Sequence, residues 1–251
     1  MRVAVTGATG RMGGEVIRAA HERGIEVALA VNRDPRDQEV AGVVVEPAAD
    51  LAALLVERNP DVLVDFTGPE SSVEYATACA EAGVPVVVGT TGFDSTDEAA
   101  LDEVGERVPV LRAANFARGV QALSRAVAVA VRALPGYDVE VTETHHNAKR
   151  DAPSGTAKEL LSVIEAELET TRQVHGRAGE APRRPGEVGV HARRAGDITG
   201  EHEVLLADNH EVLTLTHRAE SRGVFAAGAL DAAEWLVGRE PGRYDFTDVI
   251  E

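Results

Sequence analysis

Apolar residues in the first 115 positions fall in short unbroken runs, separated by stretches with helical spacing. Runs at residues 2–6, 26–31, 61–66, 84–88 and 108–112 read as strands, and 11–23, 51–58, 71–82 and 97–106 read as helices. Valine-rich runs without polar alternation imply strands buried on both faces, so this half predicts an α/β fold with a parallel sheet between helices.

The texture changes after Asn115. A longer apolar helix is expected at 120–134, a strand at 138–144, and a helix ending near residue 169. Residues 170–187, rich in Arg, Pro and Gly, read as a long loop. Alternating strands return at 188–193, 203–207 and 211–216, each with one face dressed by its domain. An Ala-rich helix at 223–237, stopped by Gly238, could pack back on the first domain.

Between the first strand and the first helix lies Gly7-Ala8-Thr9-Gly10-Arg11-Met12-Gly13, a variant of the dinucleotide fingerprint in the required strand-turn-helix context. Glycines there allow a tight turn and bring backbone N–H groups toward a pyrophosphate, whose charge the helix N-terminus favours. The second strand ends in Asn32-Arg33 where an acid usually meets the adenosine ribose. Arg33 beside a neutral residue suits the 2′-phosphate of NADPH, while Asn32 leaves NADH open; the plainer alternative is an arginine on a solvated loop. Other strand ends, Asp65-Phe66-Thr67-Gly68, Gly89-Thr90-Thr91-Gly92 and Ala113-Ala114-Asn115-Phe116, would meet a ligand in the crevice of an open parallel sheet, although each alone is an ordinary turn.

The segment Glu143-Thr-His145-His146-Asn-Ala-Lys149-Arg-Asp151-Ala-Pro153-Ser154-Gly155-Thr156 carries the densest chemistry. Lys149 and Lys158 are the two lysines of the chain. Neighbouring strand residues face opposite sides, so His145 and His146 do not suit one metal ion, and no metal site is expected. Either imidazole alone could be structural. With Lys149 alongside, a proton donor and an anion binder lie within one short segment, as reduction of an anionic imine-like substrate requires. Thr156-Ala-Lys158-Glu159 fits a capping box, and backbone N–H groups at Gly155 and Thr156 would suit a carboxylate; capping alone also explains them.

Composition narrows the partners. With 42 acidic against 25 basic residues, the formal charge of −17 disfavours nucleic acid and anionic membranes. Cys79, the one cysteine, reads as core filler, and no apolar run approaches the ~18 residues of a membrane span. A cytoplasmic protein is expected.

Taken together, the block Glu143-x-His145-His146-x-x-Lys149-x-Asp151-Ala-Pro-Ser-Gly-Thr156, with Val3-x-Val-x-Gly7-x-x-Gly10-Arg-Met-Gly13, Asp65-Phe-Thr67, Gly89-Thr-Thr-Gly-Phe93, Ala114-Asn-Phe116 and Arg194-Ala-Gly-Asp-Ile-x-Gly-Glu-His202, resembles the dihydrodipicolinate (4-hydroxy-tetrahydrodipicolinate) reductase family over most of the chain. The resemblance implies hydride transfer from NADPH or NADH to a small cyclic dicarboxylate, yielding tetrahydrodipicolinate for diaminopimelate and lysine synthesis. On the matching positions it implies His145 as proton donor or acceptor, Lys149 as proton donor, His146 as a substrate contact, and Gly155 and Thr156 as holders of a substrate carboxylate. Gly7, Ala8, Thr9, Gly10, Arg11, Met12, Gly89, Thr90, Thr91, Ala113, Ala114, Asn115 and Phe116 would line the cofactor site, with Arg33 near the ribose.

The implied architecture is a Rossmann-type doubly wound parallel sheet formed by residues 1–117 and 217–251, plus a smaller α+β substrate and oligomerisation domain with a mixed sheet at 118–216. A homotetramer joined through the latter sheets is implied. Asn32 departs from the acid of many relatives, and 170–187 has no recognisable counterpart. Two rivals explain the glycine turn but not the His-His-x-x-Lys block: another two-domain NAD(P) oxidoreductase acting on an amino acid or sugar, and a cofactor-sensing protein without catalysis.

The acid-rich, lysine-poor composition suits concentrated salt, which screens self-repulsion. The melting temperature is expected to rise between low and molar salt, and a salt-independent value would contradict this.

Overall fold

The computed structural model describes residues 1–35, 38–168 and 172–250. In chain order it contains β1 (Arg2–Thr6), α1 (Arg11–Glu22), β2 (Glu26–Asn32), β3 (Glu39–Val40), β4 (Val43–Val44), β5 (Glu46–Pro47), α2 (Leu51–Arg58), β6 (Val62–Asp65), α3 (Pro69–Ala82), β7 (Val86–Val88), α4 (Ser95–Gly105) and β8 (Pro109–Arg112). There follow α5 (Arg118–Ala133), β9 (Asp138–His145), α6 (Gly155–Glu167), β10 (Arg172–His175), β11 (Glu187–Arg194), β12 (Gly200–Asp208), β13 (Glu211–Ala219), α7 (Gly223–Leu236), β14 (Gly242–Tyr244) and α8 (Phe246–Val249). The chain divides into two compact units, Met1–Phe116 with Arg222–Glu251, and Ala117–Ser221.

The first unit is built on a parallel sheet of order β14-β8-β7-β6-β1-β2-β5. Chain order reverses beside β1, between β2 and β6, which places the switch point of the sheet next to the glycine turn. Val62, Leu63, Val64, Val86, Val87 and Val88 are buried, as unbroken apolar runs in a two-sided sheet require. Local signals set the helix limits. Pro69 opens α3 and Gly83, at φ +71°, ends it, while Asp94 and Asp97 form a reciprocal capping box at α4.

The Ala-rich α7 packs against α1 and strands β6, β7 and β8. Its small residues permit close approach. A Cβ on Gly228 would lie 1.8 Å from the Phe116 carbonyl oxygen. Phe116 itself is buried between Phe66 and Phe246, with ring centroids 5.7 and 5.2 Å away, each such ring burying enough apolar area to contribute ~1.5–3 kcal/mol.

The second unit carries a mixed sheet of order β10-β11-β9-β12-β13, parallel from β10 to β9 and antiparallel from β9 to β13. Along β12 buried and partly buried residues alternate, so one face meets the core under α5 and α6 that includes Val141, Val204, Leu160 and Ile164.

Two expectations need correction. Residues 170–187 are not all loop, because Arg172–His175 pair in parallel with Glu187–Val190. This edge strand buries little apolar surface, so its pattern gave no strand signal; Thr170 and Thr171 lie outside the described residues, as does Glu169, where the preceding helix was expected to end. The capping box at Thr156 and Glu159 is also displaced. Ser154 is the N-cap of α6, its Oγ accepting from the Ala157 N–H at 3.2 Å, and Thr156 lies inside the helix. The short β3, β4, β5, β14 and α8 lie below the length at which periodicity speaks.

Gly228→Ala should destabilise the protein by ~1–3 kcal/mol, as overpacking in a closed core does. Urea unfolding measures this, and an unchanged midpoint would contradict the tight α7 packing.

Candidate active site

In the first unit, Gly7 adopts φ +60°, a left-handed conformation that a side chain would strain. The turn closes through the Gly10 N–H donating to the Gly7 carbonyl at 2.8 Å. A Cβ on Gly13 would stand 2.2 Å from that same carbonyl, so α1 approaches the turn as only glycine permits. Gly10, which has no side chain, is the N-cap of α1, and a helix N-terminus favours an anion.

Beside this turn lies a cavity of about 550 Å³ lined by Gly7, Thr9, Gly10, Asn32, Arg33 and Thr67 among others. Arg33 is oriented there by Nη2 donating to Ser71 Oγ at 2.5 Å. Asn32 turns its amide to the Asp34 carbonyl at 3.3 Å.

The remaining expected cofactor residues differ in how they could act. Met12 is partly buried and packs on the core, whereas Ala8 is fully buried, so only its backbone could reach a ligand. The same holds for Phe116, within its aromatic trio. Gly89 has no room for a side chain, since a Cβ would meet the Phe66 ring at 2.0 Å. Thr90 is buried, Ala113 packs on the core and Asn115 is half-buried, whereas Arg11, Thr91 and Ala114 are exposed.

The second unit gathers a polar cluster at one end of its sheet. Glu143 and His145 are both buried, and spacing by two on β9 turns them to the same face. Glu143 Oε2 accepts from His145 Nδ1 at 2.6 Å, and Arg194 forks across both carboxylate oxygens at 2.7 Å each. The Ser154 N–H donates to Glu143 Oε1 at 3.1 Å, and Ser154 Oγ hydrogen-bonds His202 Nε2 at 3.0 Å. The His202 ring meets the His145 ring edge-on, with centroids 5.1 Å apart. Lys149 Nζ pairs with Asp151 at 2.8 Å, and the Asp151 carbonyl accepts from Arg194.

Burial raises the Glu143 carboxyl, but the hydrogen bonds and charges of Arg194 and His145 overcome it and hold the group below the usual range. It is therefore ionised and can only accept. His145 must then donate through Nδ1–H. Its own pKa is lowered, chiefly by burial and with Glu143 opposing, so the imidazole is neutral at neutral pH and Nε2 carries a lone pair. Burial raises the Asp151 carboxyl, yet the Lys149 hydrogen bond and charge leave it below its ordinary value. His202 is pushed down to about 4, first by burial and then by the nearby His145.

The structure brings His145, Lys149, Gly155 and Thr156 into one unit, with Lys149 close enough for its charge to act on His145. His146 follows directly after β9 and is partly buried. Sequence reasoning assigned no work to Glu143, Ser154, Arg194 or His202. For Glu143 a signal existed in its two-residue spacing from His145; Arg194 and His202 reach the cluster by strand pairing alone. Among the described residues, no group of three or more His, Cys, Asp or Glu could hold a metal ion, and no helix is long and apolar enough to cross a membrane.

Residues 1–116 match the family model described as dihydrodipicolinate reductase, N-terminus, and residues 119–250 match its C-terminus counterpart. The chain is 54% identical over 250 residues to a 4-hydroxy-tetrahydrodipicolinate reductase from Haloarcula marismortui, covering 100% of this chain and 99% of the relative. It is 56% identical over 251 residues to one from Natronomonas pharaonis, covering 100% of both. Among solved structures, a dipicolinate-bound dihydrodipicolinate reductase from a Paenisporosarcina species superposes with a TM-score of 0.80 at 25% identity, covering 98% of this chain and 97% of that one.

A histidine buried in its neutral form stabilises the fold fully above the unfolded value of ~6.5, and that contribution is lost as pH falls toward its folded value of about 4. Replacing His202 by Gln should therefore flatten the loss of stability between these two pH values relative to the parent, measured by urea unfolding. Equal slopes would contradict the burial of a neutral imidazole.

Proposed function

The chain belongs to the dihydrodipicolinate reductase family, and we propose that it reduces 4-hydroxy-tetrahydrodipicolinate to tetrahydrodipicolinate in diaminopimelate and lysine synthesis. The observation that carries this reading at the level of chemistry is the Glu143–His145 pair, which leaves a neutral imidazole with Nε2 available, in the same unit as the Lys149 ammonium.

The glycine turn fits a dinucleotide, since a Cβ at Gly13 would fill the space that keeps the turn closed on α1. Gly7, Ala8, Thr9, Gly10, Arg11 and Met12 would hold the pyrophosphate through their backbones. Gly89, Thr90, Thr91 and Ala113 to Phe116 would border the remainder. Arg33, steadied by Ser71, supports use of NADPH, and Asn32 leaves NADH as a second cofactor. Bound NAD(P)H supplies the hydride.

The protein's own residues handle protons and carboxylates. The conversion takes up one hydride and one proton and releases the 4-hydroxyl group as water, and Lys149, paired with Asp151, would donate the proton that accompanies the hydride. His145 would serve as proton donor or acceptor through Nε2, and the adjacent Glu143 carboxylate would stabilise its imidazolium form. His146 contacts the substrate. The N-terminus of α6 at Gly155 and Thr156 holds a substrate carboxylate, because a helix start favours negative charge.

In this reading the first unit binds cofactor and the second binds substrate. A homotetramer would form through the mixed sheet, which is supported by Val212 and Leu213 exposed on its edge strand β13. A cytoplasmic setting is supported by a single, buried cysteine.

Lys149→Ala and His145→Ala should each lower kcat by ~10²-fold or more while NADPH affinity is retained. A coupled assay with freshly made substrate and a fluorescence titration of NADPH measure the two quantities. Unchanged kcat in both variants would defeat the assigned roles, and an absence of turnover in the parent protein would defeat the reaction itself.

A further inference from the structure

We propose that Asp65 is a positioning residue that fixes the nucleotide site by tying together the ends of three strands, an inference that rests on the nucleotide-binding reading of the first unit. Asp65 closes β6 and is completely buried. Among the described residues it forms no ion pair. Its carboxylate is instead ringed by hydroxyls. Oδ1 accepts from Thr6 Oγ1 at 2.5 Å and Thr67 Oγ1 at 2.7 Å. Oδ2 accepts from Thr90 Oγ1 at 2.9 Å and, through a short bond, from Ser72 Oγ. The Asp65 carbonyl also accepts from the Gly89 N–H at 2.8 Å.

Apart from Ser72 on α3, the tethers lead to the carboxyl ends of strands. Thr6 ends β1 and immediately precedes Gly7; Thr67 follows β6; Gly89 and Thr90 follow β7. Thr67 also packs where a Cβ on Gly7 would come within 2.8 Å of its methyl group. Three loops at the carboxyl edge of the sheet are thus referred to one fixed point beside the switch in strand order, where open α/β sheets bind ligands.

Stability alone is a poor reason for this arrangement. A buried charge must recover its hydration from its partners, and a well-packed apolar residue would suit the core at least as well. The arrangement also decides what the ledge offers a ligand. Thr67 lines the cavity, and with its hydroxyl hydrogen committed to Asp65 that hydroxyl can only accept from any further partner. Such an edge accepts from ribose hydroxyls or a carboxamide N–H and disfavours phosphate oxygens, which remain with the N–H groups of the glycine turn.

The test compares the parent protein with Asp65→Asn and Thr6→Val. The second change is nearly isosteric and affects one tether at a buried site away from the cavity lining. Steady-state kinetics with NADPH varied at saturating substrate, and substrate varied at saturating NADPH, are read beside the folded fraction from circular dichroism. The expected result is a rise in KM for NADPH of about tenfold or more in Asp65→Asn and about threefold in Thr6→Val, with KM for substrate unchanged and kcat per folded molecule within about threefold. If Asp65→Asn does not fold, Thr6→Val alone decides. An unchanged KM for NADPH in the folded variants, with activity lost only in proportion to folded protein, would overturn the positioning role and leave the nucleotide reading intact. Failure of the parent to bind NADPH or NADH would overturn both.

Discussion

The buried carboxylate of Glu143 is the constraint around which the second unit's chemistry is arranged. Its two oxygens meet four N–H donors: two from Arg194, one from His145 and the backbone N–H of Ser154. One group therefore neutralises an internal arginine, selects the proton position on an imidazole and anchors the start of α6. Removing one partner of such a pair strands the other charge away from water, at a cost of ~3–5 kcal/mol. The cluster consequently holds together or fails together.

The sheet supplies the geometry. β9 lies between β11 and β12, with Arg194 opposite His145 on one side and His202 opposite Glu143 on the other. Parallel and antiparallel pairing on the two sides of β9 brings three distant chain segments to one face without a long loop. Rigid strands fix the imidazole more firmly than a loop would, which suits the proton-exchanging role proposed for it. In the first unit the carboxyl edge of a parallel sheet plays the corresponding part, with glycine where backbone must approach and hydroxyls where loops must be held.

Much of this is legible in the sequence. Unbroken valine runs announced a parallel sheet because strands covered on both faces have no polar side to alternate. The glycine turn was readable because its conformational demand exceeds what other residues meet, as Gly7 and Gly13 show. The His145–Lys149 segment was readable because local spacing carries it. What escaped depends on pairing between distant strands: Arg194 and His202 gain their roles from register, which a one-dimensional pattern does not encode. The tethering role of Asp65 escaped for a related reason, since its four hydroxyl partners come from β1, the segment after β7 and the start of α3 as well as the residues after its own strand. The misplaced cap on α6 has a local cause. Ser154 and Thr156 are both competent caps, and Glu143, eleven residues earlier, favours the former by accepting its N–H.

The chemistry proposed for the site turns on a neutral His145 with its proton on Nδ1 and a lone pair on Nε2. Nitrogen NMR of histidine-labelled protein at neutral pH, with His145→Gln to assign the signal, reads that state directly. We expect one protonated nitrogen, engaged in a strong hydrogen bond, and one unprotonated nitrogen for His145. A doubly protonated ring, or a proton found on Nε2 instead, would contradict the proposed role of Glu143 and with it the chemistry assigned to the site.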